Sequence, residues 1–360
     1  MTYPVGQHFL AGFDGFSVTD DVRELILKEK ILGFTLFKWN IESAEQLKAL
    51  NDELQSLAHE AGYELILAVD QEGGRVQRLP EPFTKIPAMR LWAEACAQRE
   101  APGAIYELGR ILGCEVRLAG FNLDFAPVVD IDINALNPII GDRSFASDAA
   151  TVTRHARELI RGLIREGVMP CLKHFPGHGA THKDSHLELP VDERPWEDLR
   201  ALDVVPYSNL ISENLAPAVM TAHVLYPKID TDNPATLSRY IVGGLLRGEL
   251  GYDGVVFSDD FLMKAIADNH DLTAAARTFF EIGGDVVLIC KRPDLNLEII
   301  RRLKAECAAN DASNLRESLR QAAQRIENLK RQFFPSFYGA ADLASVTKQH
   351  QDFVKTVFST

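Results

Sequence analysis

GVMPCLKHFPGHGATHKDSH, residues 167–186, admits two readings, and the choice between them sets the fold. Its histidines at 174, 178, 182 and 186 recur every fourth residue, the spacing of one stripe on a helix that could hold a metal ion. Against a helix stand Pro176, which lacks a backbone donor, and Gly177 and Gly179, each about 1 kcal/mol worse than Ala in a helix interior. The competing reading divides the stretch into a buried strand, GVMPCLKHF (167–175), and a long Gly/Pro-rich loop. Under it the histidine spacing is a coincidence, although a non-helical metal site with strand-end carboxylates stays open.

The strand reading fits the rest of the chain. Similar apolar runs occur at HFLAGF (8–13), ILGFTLFK (31–38), ELILAVD (64–70), NLDFAPVVD (122–130), APAVMTAH (216–223), GVVFSDD (254–260) and DVVLICK (285–291). They are continuous rather than alternating, as parallel strands buried on both faces are. Helical patterns lie between them at 19–29, 42–60, 99–118, 147–166, 195–213, 237–249, 262–282 and 293–308. Ser43 with Gln46 fits a capping box. Eight strands alternating with eight helices predict an α/β fold, a single (β/α)₈ TIM-type barrel. An amphipathic helix from Asn314 extends it, so the catalytic barrel is expected over 1–335 and a polar C-terminal tail over 336–360. Neither a GxGxxG after the first strand nor a GxxxxGK[ST] is present, which removes the best support for a nucleotide fold.

Composition narrows the function. The chain has 360 residues, 46% hydrophobic and 25% charged, with a net charge of −13 that argues against nucleic acid as a partner. Its five cysteines lack a CxxC spacing and point to a reduced compartment. The N-terminus does not read as a signal peptide, and no run reaches the length of a membrane span. A cytoplasmic protein, monomeric and without membrane partners, is expected.

In such barrels the active site lies where the strands' C-terminal ends meet their loops. Six runs end in ionisable groups: Lys38, Asp70, Asp130, Lys173–His174, His223 and Asp259–Asp260. Their convergence predicts a polar pocket for a polyhydroxylated or charged ligand. In the loop, Asp184 stands two residues before His186 and can orient its imidazole as an acid/base dyad. The plainer alternative is that Asp184 caps a turn.

KHFPGHGATHKDSH resembles the KHFPGHG-x-T-x-x-DSH signature of family-three glycoside hydrolases, in particular the NagZ-type β-N-acetylglucosaminidases. LAVDQEGGRVQRL (67–79), NLDFAPVVDID (122–132), IIGDRSF (139–145), MTAHVLYP (220–227) and GYDGVVFSDDFLMKAI (251–266) resemble the same family in the same order. The resemblance covers roughly residues 8 to 335. It implies a retaining exo-β-N-acetylglucosaminidase acting on muropeptide fragments in peptidoglycan recycling, with no cofactor and no metal. Asp259 would be the nucleophile, with His186 polarised by Asp184 as the acid/base. Asp70, Arg78, Arg143, Lys173 and His174 would bind the sugar, and His223 would line the pocket. Strand alternation would turn Asp260 away. His178 reads as a group that orders the loop, and Gly73–Gly74 as a turn with positive φ.

The chain departs from the family at Lys38–Trp39 and at FLMKAI after the nucleophile, which puts the leaving-group preference in doubt. A phosphorylase on the same scaffold, a metal-dependent hydrolase, substrate-assisted catalysis and an inactive sugar-binding module are the competing readings.

Overall fold

Each of the eight apolar runs contains one strand of a closed parallel barrel. The computed structural model describes residues 4–99, 101–181, 189–309, 312–334 and 343–359. The strands are β1 (Phe9–Ala11), β2 (Gly33–Leu36), β3 (Ile66–Val69), β4 (Leu123–Asp124), β5 (Met169–Phe175), β6 (Ala218–Thr221), β7 (Val255–Asp260) and β8 (Val286–Ile289). β1 pairs with both β2 and β8, which closes the ring. Leu10, Ala68, Phe125, Met220 and Phe257 pack with one another inside it, whereas Phe9, Leu67, Val219 and Val256 pack outward against the helices. Burial on both faces is why the runs are apolar throughout.

The helical layer consists of α1 (Asp20–Leu27), α2 (Ala44–Glu60), α3 (Met89–Arg99), α4 (Ala104–Leu118), α5 (Ala149–Arg165), α6 (Trp196–Ala201), α7 (Val205–Ser212), α8 (Lys264–Ala267), α9 (Leu272–Glu281) and α10 (Pro293–Ala308), with a further helical segment at Arg239–Glu249. Thr19, Ser43, Asp148 and Asp271 cap α1, α2, α5 and α9, each accepting from the N–H three residues on. Such caps are worth ~1 kcal/mol each. The Ser43 box is only half formed, because Gln46 Oε1 accepts from the N–H of Glu42 rather than from that of Ser43. The predicted helices 195–213 and 262–282 are each broken in two. That at 99–118 starts late, at Ala104, after Gly103 with φ +81°.

Beyond α10, α11 (Ser313–Phe333) adds Ile326, Leu329 and Phe333 to the cluster inside the barrel. Its Lys330 ammonium donates to Gln7 Oε1 and to the Glu64 carbonyl, which precede β1 and β3 and so mark the N-terminal mouth. Burial lowers the Lys330 pKa to about 8. Within the expected tail, Leu343–Phe358 form α12. The buried Trp92 of α3 meets Phe353 and Phe358, with ring centroids 6.3 and 5.0 Å away. His350 Nδ1 lies 2.8 Å from Glu115 Oε1 on α4. Among the described residues, no helix is long and apolar enough to cross a membrane.

Candidate active site

At the C-terminal rim the strand ends enclose a cavity of about 180 Å³ whose lining includes Asp70, Glu72, Arg78, Arg143, Lys173, His174, His178, Asp259 and Asp260. Two irregularities in the barrel put adjacent residues on this lining. The β5–β6 register shifts between Leu172 and Phe175, and Lys173 and His174 both reach the cavity. The β7–β8 register shifts between Phe257 and Asp260. Bulges re-aim side chains in this way. Simple alternation, which would have turned Asp260 away, therefore fails here.

Glu72 is the centre of the charged network. Arg143 Nε and Nη2 donate to its two carboxylate oxygens at 2.8 Å each, and Lys173 Nζ lies 2.6 Å from Oε1. Lys173 also donates to Asp70 Oδ1 at 2.7 Å, and Arg78 Nη2 lies 3.9 Å from Asp70 Oδ2. Burial pushes the Glu72 pKa up, but Arg143 and Lys173 outweigh it and hold the carboxylate well below its usual range. Burial lowers the Lys173 pKa, yet Asp70 and Glu72 raise it on balance. Glu72, Arg143 and Lys173 thus stay charged in a nearly dry site. Arg78 Nε is buried without a hydrogen-bond partner among the described residues.

The loop after β3 builds this network. Gly73 (φ +89°) and Gly74 (φ +56°) make the expected turn. Arg75 then donates to the carbonyls of Pro138, Ile139 and Ile140 and so clamps the loop that carries Arg143. Gln71 Oε1 accepts from the N–H groups of Arg78 and Leu79, while its own N–H donates to Asp124 Oδ1. Burial raises the Asp124 pKa well above the ordinary range.

Asp130 holds the histidines. Its carboxylate accepts the N–H groups of His174 and His178 and lies 2.7 Å from the Nδ1 of His174, whose side chain lines the cavity. His178 Nδ1 meets Thr181 Oγ1 at 2.8 Å. Burial, then the neighbouring His174, lower the His178 pKa to about 4, so its imidazole is neutral at pH 7. A Cβ on Gly179 would lie 1.7 Å from the Ile131 carbonyl oxygen, so only glycine fits there. The His174–His178 pair therefore belongs to a strand and its following loop, not to a helix stripe. Among the described residues, no group of three or more His, Cys, Asp and Glu is placed to hold a metal ion.

Asp259 Oδ1 accepts the Asp260 N–H at 2.8 Å. Asp260 Oδ1 in turn accepts from Leu262 and Cys290, and burial raises its pKa to about 6. His223 does not line the pocket as expected. It is fully buried, with Nδ1 2.8 Å from Thr236 Oγ1 and Nε2 3.1 Å from the Asp260 carbonyl oxygen, and so supports the end of β7 from behind. Lys38 is exposed on the turn Lys38–Asn40, and it is Phe37 before it that joins the lining. Asp184 and His186, together with His182, lie outside the described residues. Sequence reading left Glu72 without a direction; its only signal was its place two residues after Asp70.

Comparison with known proteins agrees with this geometry. Residues 7–329 match the glycosyl hydrolase family 3 N-terminal domain. A β-hexosaminidase of Aromatoleum aromaticum is 38% identical over 339 residues, covering 92% of each chain. One of Neisseria meningitidis is 41% identical over 292 residues, 79% of this chain and 78% of its own. Among solved structures, a family 3 β-N-acetylglucosaminidase from Paenibacillus superposes with a TM-score of 0.90 at 35% identity, over 99% of this chain and 68% of that one. NagZ from Neisseria gonorrhoeae, solved with N-trifluoroacetyl-D-glucosamine, gives 0.77 at 34% identity over 98% of both chains. The chain belongs to glycosyl hydrolase family 3 and is a glycoside hydrolase.

Proposed function

We propose that the chain is a retaining exo-β-N-acetylglucosaminidase that removes terminal N-acetylglucosamine from muropeptide fragments during peptidoglycan recycling, as a cytoplasmic monomer. The observation that carries this reading is the position of Asp259. It is the next-to-last residue of β7, on the lining of a cavity in which Asp70, Glu72, Lys173 and Arg143 are paired with one another. Paired charges of this kind bind hydroxyls without demanding a charged substrate, and Asp259 lines the same cavity. The β-hexosaminidase names of the relatives support the same substrate class.

Asp259 would attack the anomeric carbon and form a glycosyl ester as the leaving oxygen departs. His186, oriented by Asp184, would donate the proton to that oxygen. The neutral imidazole would then take a proton from water as it opens the ester. Asp70 would accept from sugar hydroxyls, while Arg78, Arg143, Lys173 and His174 would donate. The reaction calls for no cofactor. The relatives carry hydrolase names and lend the phosphorylase reading no support, so it is set aside.

The test is intact-mass spectrometry after incubation with a slow 5-fluoro N-acetylglucosaminyl donor, followed by peptide mapping. A glycosyl adduct on the Asp259 peptide is the expected result. Turnover of an aryl N-acetyl-β-glucosaminide with no adduct would instead favour catalysis assisted by the substrate's own acetamido group.

A further inference from the structure

Two loops meet at the rim of the cavity, and one buried side chain joins them. The first follows β4 and carries the cavity-lining Ile139 and Arg143; the second follows β5 and carries His178. The joining residue is Asn137, which is buried. Its Oδ1 accepts the N–H groups of Ile139 and Ile140 at 2.8 and 2.9 Å. Its Nδ2 donates to the His178 carbonyl at 2.8 Å and to Thr181 Oγ1 at 3.3 Å. A primary amide has two acceptor and two donor positions, so all of them are in use. The amide cannot be turned round either. Backbone N–H groups only donate and the carbonyl only accepts, which fixes which end is oxygen.

The direction of this amide carries over to the imidazole beyond it. Thr181 is fully buried, and its Oγ1 lies 2.8 Å from His178 Nδ1 and 3.1 Å from the His178 carbonyl oxygen. A hydroxyl has one proton to give. Asn137 already donates to Thr181 Oγ1 and to that carbonyl, so the hydroxyl gives its own proton to the closer Nδ1. Burial keeps the ring neutral, and a neutral ring whose Nδ1 accepts carries its proton on Nε2. Asp130 Oδ1 holds the His178 main-chain N–H at 2.7 Å, so ring and backbone are both pinned. On the other side of Asn137, the Ile139 carbonyl accepts from Arg143 Nη1 at 3.1 Å.

We infer that Asn137 is a positioning residue for the reaction. It keeps His178 in the Nε2–H form, and it holds Thr181, from which the chain runs on to Asp184 and His186, at a fixed distance from the Arg143 loop. Asn137 is not part of the cavity lining and acts through the groups it holds. Thr181 stands three residues before Asp184, so a shift at Thr181 passes along a short stretch of chain to the proton donor. A misplacement of about 1 Å there costs on the order of 10²-fold in rate. The inference rests on the proposed acid/base assignment and deepens it by naming what keeps that pair aligned with the sugar-binding groups.

The test uses leaving groups of different basicity. A 2,4-dinitrophenolate departs without a proton, whereas a phenolate needs one from the acid. Thr181→Val removes the hydroxyl at nearly constant volume. Asn137→Asp keeps the acceptor toward Ile139 and Ile140 and loses both donors. Each should lower kcat/KM for the phenyl N-acetyl-β-glucosaminide on the order of tenfold more than for the 2,4-dinitrophenyl one. Thr181→Ser, which keeps the hydroxyl, should restore the wild-type ratio. A role in stability alone would lower Tm and leave the ratio where it was. His186→Ala, run beside them, separates the two assignments. Bias there with none in Thr181→Val or Asn137→Asp would overturn the role of Asn137. No bias there would be the failure of the acid/base reading, and the tautomer would then decide for Asn137. That tautomer is read without turnover, from ring nitrogen-15 shifts of the histidine-labelled protein, with His178→Gln assigning the signal. Protonation at Nε2 in the wild type and a mixture of forms in Thr181→Val is the expected result. Protonation at Nδ1 in the wild type would overturn the inference whatever the enzyme cleaves.

Discussion

Arg143 grips Glu72 through two parallel hydrogen bonds of 2.8 Å, and Glu72 has almost no exposed surface. An ion pair this dry is stable only because Lys173 completes it and links it to Asp70. Removing one partner leaves a buried charge without compensation, which costs about 3–5 kcal/mol. Lys173→Met should therefore lower Tm markedly as well as weaken catalysis. Thermal unfolding measured beside kcat/KM checks this, and a variant that loses activity at unchanged Tm would show that Glu72 finds other partners.

The neighbouring carboxylates Asp259 and Asp260 should separate cleanly on mutation. Asp260 Oδ1 accepts from Leu262 and Cys290, and an asparagine oxygen can accept from both. Asp260→Asn should keep its fold and most of its activity. Asp259→Asn should lose on the order of 10³-fold or more in kcat, the scale for removing a nucleophile. Steady-state kinetics on an aryl N-acetyl-β-glucosaminide would decide it, and equal losses would mean that both carboxylates touch the substrate.

The eight strands were legible because burial on both faces writes a continuous apolar run, and Asp70, Lys173, His174 and Asp259 were legible as the ends of those runs. What the sequence concealed depends on contacts that cross it. The direction of Glu72 is set by Arg143, 71 residues later, and by Arg75, which clamps the intervening loop. Asp260 escaped the alternation rule because the β7–β8 pairing carries a bulge. His223 looked like a strand-end group, but the hydroxyl of Thr236 draws its ring beneath the site. α12 was read as a polar tail, since only Val354 and Val357 of its apolar residues are buried and its docking surface, Trp92, lies far away in the chain.

His178 should make the fold acid-sensitive. Its native pKa is lowered to about 4, below the ordinary imidazole value, so the unfolded chain binds the extra proton first as pH falls. This contribution to stability is complete above about pH 6.5 and is lost as pH drops toward 4, at no more than about 1.4 kcal/mol per pH unit. Asp260, raised to about 6, acts with the opposite sign in much of that window, so the whole-protein curve mixes the two. The difference between wild type and His178→Gln isolates the histidine. As pH falls from 6.5 to 4, wild-type Tm should decline more steeply than that of the variant; parallel curves would show that folding does not lower the His178 pKa.

α12 should be part of the folded barrel rather than an appendage. It covers Trp92 with Phe353 and Phe358, and His350 brings it against Glu115, which also accepts from the N–H and hydroxyl of Thr84. A chain ending at Phe334 would leave Trp92 uncovered and Glu115 without its imidazole neighbour. Its tryptophan emission should shift to the red and its Tm should fall, while KM changes little because none of these residues lines the cavity. Phe358→Ala should give a smaller shift of the same sign, by removing a single ring from the contact. An unshifted spectrum in both variants would mean that the helix is undocked in solution and that Trp92 is buried by the barrel's own helices alone.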